Sequence, residues 1–351
     1  MLTISLFIDT SYLIMEREYN MEIIRIKEKQ LKDLTLFLID KKILFHPTIS
    51  PSGCPDFTDR YGRNNILILD RNIMSKLVEF CRTGELRDTY IRKIIAALLF
   101  WAEANQITIT GGLALNEYAT AIDDASCASI ENNIFLKLFE QYSPQLWLDV
   151  FEEKIASIPP VVIDNEKDFN FLVENDHYLM HLSEVIYLFR LYMENDLEPH
   201  EKVMKFLSWV NNHQLFCAYS ITYACMLFSN KVKQPKICKS DAFENKIKRC
   251  RNQAWDLTYL SLWSTLYWNE ESTDNNYLFA TMDTDLKRIF VNTHETTSDL
   301  FVRFFGENKG GIIKNHYDDL LSNRVKPIMT DEVIHEVLNC EQQALFDGAQ
   351  I

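Results

Sequence analysis

Apolar residues recur along this chain at two periods, and the changes of period mark its elements. Residues 65–77 read NILILDRNIMSKL: an unbroken apolar run over 66–69, then Asp70, then Ile73, Leu77 and Phe80 at helical spacing. This predicts a buried strand followed at once by an amphipathic helix over 71–82. A second helix is expected over 87–104, with Ile91, Ile94, Ile95, Leu98 and Leu99 at helical spacing. A short strand at 107–110 leads through Gly111 and Gly112 into a helix carrying Leu113, Leu115 and Glu117. Residues 121–230 are mostly helical in pattern, with a linker over 155–170. Next, NQAWDLTYLSLWSTLYW (252–268) predicts an apolar-rich helix with Asp256 in its first turns. Residues 277–281 predict a strand that gives way to Asp283 and Asp285 before a further helix. At the start of the chain, 4–8 are strand-like and 22–42 form a charged helical stretch. A loop over 46–64 is punctuated by Pro47, Pro51, Gly53, Pro55 and Gly62.

These elements suggest five regions: an N-terminal extension (1–64), the two halves of an α/β core (66–120 and 246–306), a helical insertion between them (121–245), and a polar C-terminal extension (307–351). A chain of 351 residues with 47% apolar content is long enough to bury a substantial core. Only nine glycines and nine prolines argue against a many-turned all-β fold. The eight cysteines are scattered without a C-x-x-C pair, so structural zinc is not expected and a reducing, cytoplasmic setting is. The longest apolar-rich stretch near the middle, 215–228, is too short to span a bilayer, and no membrane contact is expected.

The net charge of −14 excludes a generally basic nucleic-acid binder, so any such contact must come from a local patch. One exists: residues 231–251 carry eight bases against two acids, a net of +6. Lys246, Lys248, Arg249 and Arg251 lie closest to Asp256 and are the candidate phosphate contacts. A solvated linker explains the same charges equally well. Trp255, Tyr259 and Trp263 are expected in the core rather than stacked on bases.

Carboxylates recur at the strand ends. Asp70 closes one predicted strand; Asp283 and Asp285 follow another; Glu117 and Asp256 sit near helix starts that reach the same rim of a parallel sheet. Ligands bind beyond the carboxyl ends of such strands. Crowded carboxylates need a counter-charge, and an all-oxygen set suits Mg²⁺ or Mn²⁺, ions whose natural chemistry is phosphoester hydrolysis. Asp70 also makes a good helix N-cap, which needs no ligand.

The order NILILDRNIMSKL, ITITGGLALNEYA, NQAWDLTYLSL, LFATMDTDLKRI resembles the PIN-domain ribonucleases over about a third of the chain. The resemblance implies a PIN-like α/β/α sandwich with a mainly parallel sheet, interrupted by a large helical insertion. It implies that Asp70, Glu117, Asp256 and Asp283 are catalytic metal ligands, with Asp285 assisting, and that Thr281 belongs to the T-x-D-x-D context that orients them. Asn252, one turn before Asp256, either orients a carboxylate or water or caps its helix. The implied activity is a metal-dependent endoribonuclease leaving a 5′-phosphate and a 3′-hydroxyl; a toxin or antiviral role is an analogy at fold level. The chain departs from the pattern in the long separation of Glu117 from Asp256.

Alternatives share parts of this pattern. LFIDTSYLI, ending a strand on Asp9, also fits the opening motif but leaves some sixty residues unexplained. A DNA-directed or structure-specific nuclease would use the same site. A non-catalytic scaffold would bind a protein or nucleic-acid partner, or a second copy, through the insertion. His177 and His181 share one helical face as a possible metal pair, with surface or partner contact the simpler reading. Asp123 and Asp124 either line the acidic rim or lie on a helix surface. Gly310 and Gly311 sit in no phosphate-loop pattern.

Overall fold

The structure, a computed structural model, describes residues 6–9, 12–15, 24–46, 64–269 and 274–347. The loop expected over 46–64 lies outside them apart from its two ends. The chain forms two compact units, Met1–Val173 with Leu266–Met282 and Glu174–Thr265 with Asp283–Ile351. Helices expected in the insertion are thus shared out: those before Val173 belong with the sheet.

The first unit opens with an antiparallel meander, β1 (Leu6–Asp9), β2 (Tyr12–Met15) and β3 (Ile24–Lys27), followed by α1 (Glu28–Lys41). The expected charged helix therefore starts later than 22, because IRIK is drawn into the meander. Next come β4 (Leu44–Phe45), β5 (Asn64–Leu69), α2 (Arg71–Thr83), α3 (Thr89–Ala104), β6 (Thr108–Thr110), α4 (Gly112–Ile122), α5 (Ala125–Gln141) and α6 (Pro144–Phe151). With β7 (Asn275–Ala280) they build a four-stranded sheet in the order β4-β7-β5-β6. β5 runs parallel to both β6 and β7, and β4 is antiparallel to β7.

The register follows from the sequence. Leu67, Ile68 and Leu69 are buried in succession, as a central parallel strand covered on both faces requires. They pair with Leu278, Phe279 and Ala280, the buried end of β7. Leu67 and Leu69 pack with Ile73, Met74 and Leu77 of α2 and with Ile95, Leu98 and Leu99 of α3 in one apolar cluster. Each such fully buried side chain contributes about 1.5–3 kcal/mol relative to exposure. α2 ends where Gly84 takes up a left-handed conformation (φ 74°) and its N–H bonds to the Phe80 carbonyl at 2.8 Å. A mostly parallel sheet surrounded by helices is thus the observed architecture.

The second unit is helical: α7 (Asp176–Met193), α8 (Pro199–His213), α9 (Ala218–Phe228), α10 (Phe243–Trp268), α11 (Thr284–His294), α12 (Leu300–Ser322) and α13 (Asp331–Asp347). α10 passes its last turn to the first unit. α9 is buried from Tyr219 to Phe228, which explains its apolar composition all round. Trp255, Tyr259 and Trp263 are core residues, as expected. α12 is interrupted at Gly306, whose φ of 75° and ψ of 171° are not helical. Among the described residues no helix is long and apolar enough to cross a membrane.

Candidate active site

In the first unit the site is built on the carboxyl end of β5. Asp70 leaves the strand in extended conformation and caps α2, its carboxylate accepting from Asn72 N at 3.3 Å. Its backbone N–H still pairs with the Ala280 carbonyl at 3.0 Å, tying it to the end of β7. The other carboxylate oxygen accepts from Asn72 Nδ2 at 2.5 Å and from the Thr281 hydroxyl. Asn72 Oδ1 in turn accepts from Met282 N at 3.2 Å. Thr281 is itself pinned by its N–H to the Ile43 carbonyl at 3.1 Å. Asp70 is 5% exposed and Thr281 is fully buried, so this is a buried carboxylate held by three donors. Charge-assisted hydrogen bonds of this kind are worth about 1.5–3 kcal/mol each.

Beside it, the guanidinium of Arg71 lies 4.0 Å from the centre of the Tyr118 ring and grips both carboxylate oxygens of Glu131. This joins the first turn of α2 to α4 and α5. Glu117, half-buried, precedes Tyr118 on α4, a helix that packs on α2 and β5. Asp123 ends α4 in left-handed conformation and Asp124 caps α5, so both serve helix ends.

Asp9 closes a hairpin, paired with Tyr12 in the antiparallel meander, and does not stand at the end of a parallel strand. Asp70, by contrast, follows a strand that is parallel to both of its neighbours.

In the second unit Asp256 sits half-buried in mid-α10, not in its first turns, because the helix begins at Phe243. For the same reason Asn252 cannot cap that helix; it is exposed, and its neighbour Gln253 donates to Asp256 at 3.1 Å. Asp283 caps α11, accepting from Leu286 N at 2.8 Å. Asp285 lies in the first turn, 3.7 Å from Arg288. The buried phenol of Tyr223 has its pKa raised well above the ordinary range by burial first, and then by the negative charges of Asp256 and Asp285. Asp256 and Asp285 thus share one electrostatic neighbourhood around Tyr223.

The basic run is not a uniform patch. Lys248 and Arg251 are exposed, and Arg249 pairs with Asp241 at 2.5 Å. Lys246 is fully buried and donates to the Lys239 carbonyl at 2.7 Å, so it is not available to phosphate. The helical pattern explains this: Lys246 and Ile247 occupy the inward face of the first turn of α10, with Cys250 below them.

The five sequence-derived carboxylates divide between the units, Asp70 and Glu117 in the first, Asp256, Asp283 and Asp285 in the second. Within neither unit, among the described residues, do three His, Cys, Asp or Glu side chains group as metal ligands. His177 and His181, the histidines of one helical face, both turn a ring nitrogen to Ser261. Asn72, Gln253, Tyr223 and the Arg71–Tyr118–Glu131 clamp belong to no motif that would mark them in the sequence. A scan of family models matches none, and neither curated proteins nor solved structures give a match.

Proposed function

We propose that this chain is a metal-dependent, PIN-like nuclease acting on RNA with Mg²⁺ or Mn²⁺, and that Asp70, at the carboxyl end of the central strand, is an essential acidic residue of its site. The observation that carries it is the carboxyl edge of the parallel sheet. Asp70 ends the central strand, and its carboxylate is gripped by Thr281 at the end of the neighbouring parallel strand. Open α/β sheets bind ligands at that edge. Thr281 and Asn72 hold one Asp70 oxygen in a fixed orientation, which a site residue needs and an exposed cap does not. Lys248, Arg249 and Arg251 remain the candidate phosphate contacts.

The helix caps made by Asp70 and Asp283 favour a second reading: a PIN-like scaffold that binds a partner without cleaving it. One experiment separates the two. Labelled single-stranded RNA and DNA are incubated with the chain in Mg²⁺, in Mn²⁺ and in EDTA. The nuclease reading expects metal-dependent cleavage of RNA, lost in Asp70→Asn and kept in Asp9→Asn. Cleavage of neither substrate with either metal leaves the scaffold reading; cleavage in EDTA removes the metal.

A further inference from the structure

Outside these carboxylates, the second unit holds a chain of four polar side chains, three of them buried. Glu184 Oε2 lies 2.6 Å from His181 Nδ1, and His181 Nε2 lies 2.8 Å from Ser261 Oγ. Ser261 Oγ lies 3.1 Å from His177 Nδ1. Glu184 also accepts from the Ser220 hydroxyl at 3.3 Å. Exposure rises along the chain, from 1% at Glu184 through 3% at His181 to 8% at Ser261, and His177 is half-buried. An ion pair this deep costs several kcal/mol of desolvation per ion, on the order that a plain apolar core avoids.

The protons can be placed. His181 is raised to about 10, the Glu184 carboxylate and the Cys217 side chain outweighing a large opposing cost of burial. In its charged form both of its nitrogens donate, one to Glu184 and the other to Ser261. His177 is lowered by burial and by the charge of His181, so it stays neutral. The Ser261 hydroxyl donates either to His177 or to the Thr258 carbonyl at 3.2 Å. Nucleophile, proton acceptor and oriented charge stand within hydrogen-bond reach of one another, which is how such constellations are recognised whatever their order in the chain.

We propose that Ser261 is an activated nucleophile for acyl transfer from carboxylic esters, with His177 as its proton acceptor and the His181–Glu184 pair as the polarising charge. A lone pair of Ser261 Oγ forms a bond to the ester carbonyl carbon while the hydroxyl proton passes to His177 Nδ1 and the carbonyl π pair moves onto oxygen. The imidazolium of His181 lowers the cost of negative charge on Oγ as that proton leaves. Collapse of the tetrahedral adduct expels the alcohol oxygen, which takes the proton from His177, leaving acyl-Ser261. Water attacks by the same route, releasing the carboxylic acid and restoring the hydroxyl.

The test uses the full chain and a fluorophosphonate probe, in which the serine oxygen displaces fluoride from phosphorus. The phosphonylated peptide is mapped by mass. The proposal expects label on Ser261 in the folded chain, none after prior unfolding in urea, and a labelling rate lower by on the order of 10²-fold in His177→Gln. A folded chain without label on Ser261 overturns it, and so does an unchanged rate in a folded His177→Gln. Mapping the unsubstituted chain decides the matter even if the variant fails to fold.

Discussion

Thr281→Val removes one atom's worth of chemistry from the carboxyl edge of the sheet. Valine keeps the shape of threonine, and Thr281 is fully buried, so neither a cavity nor a change in exposed surface accompanies the substitution. What disappears is the hydroxyl donor to the Asp70 carboxylate. A hydrogen bond to a buried charge is worth about 1.5–3 kcal/mol. Asn72 still supplies two donors, one of them long at 3.3 Å. The loss therefore falls in the lower half of that range, about 1.5–2 kcal/mol. For a unit of this size each kcal/mol moves the midpoint by roughly 2–4 °C, so a fall of roughly 3–8 °C is expected. Thermal melts followed by circular dichroism measure the shift and urea denaturation the free-energy loss, with Asp70→Asn and the double substitution completing a cycle. The two single effects should fail to add by about 1 kcal/mol or more, since they share the Thr281–Asp70 hydrogen bond. A Thr281→Val chain within about 0.5 kcal/mol of the parent, or strict additivity, would refute the buried strap.

Further outcomes follow from the same physics. Replacing Lys248, Arg249 and Arg251 with Gln should weaken nucleic-acid binding and flatten the slope of log affinity against log salt, by about one for each phosphate no longer neutralised. Lys246→Gln should leave that slope alone and lower stability instead, because its ammonium is buried against a carbonyl; equal slopes for parent and triple variant would show that the run is a linker. The second unit should lose stability as pH rises from the ordinary histidine value of 6.5 through about 10, since the folded state holds the His181 proton more tightly than the unfolded state does. Denaturation midpoints across that range should show a fall that His181→Gln lacks. Gly310→Ala should destabilise by about 1–3 kcal/mol, because its Cβ would meet backbone atoms of Phe301 and Val302 at 2.6 Å. Gly311→Ala, with open space around it, should be neutral or better in the same thermal melt.

The β5–Asp70–α2 unit is legible in the sequence because apolar period, cap residue and amphipathic face all agree locally. The strap is not, since Thr281 and Asp70 are 211 residues apart and no local pattern links them. The start of α10 is hidden for a different reason. Its first turns are lysine- and arginine-rich, and charge obscures the inward positions of Lys246, Ile247 and Cys250. That displaces both the cap expected at Asn252 and the place of Asp256. HYLMH points to the right helical face for His177 and His181 but the wrong partner, because Ser261 lies 80 residues beyond His181. The whole carboxylate set is easy to collect along the sequence, yet its division between two units depends on packing that no spacing expresses.

The order of the sheet also bears on how the chain survives before it is folded. NILIL and YLFA are short, apolar and uncharged, the kind of segment that seeds intermolecular β-pairing. Both lie at the centre, β5 flanked by β6 and β7, and β7 flanked by β4 and β5. Among the described residues the strands at the outside are β4, of two residues, and β6, of three. Strands so short offer a neighbouring molecule few open backbone groups to extend. Folding the sheet therefore hides its two stickiest segments behind edges too brief to act as templates, and any variant that loosens β6 from β5 exposes NILIL first.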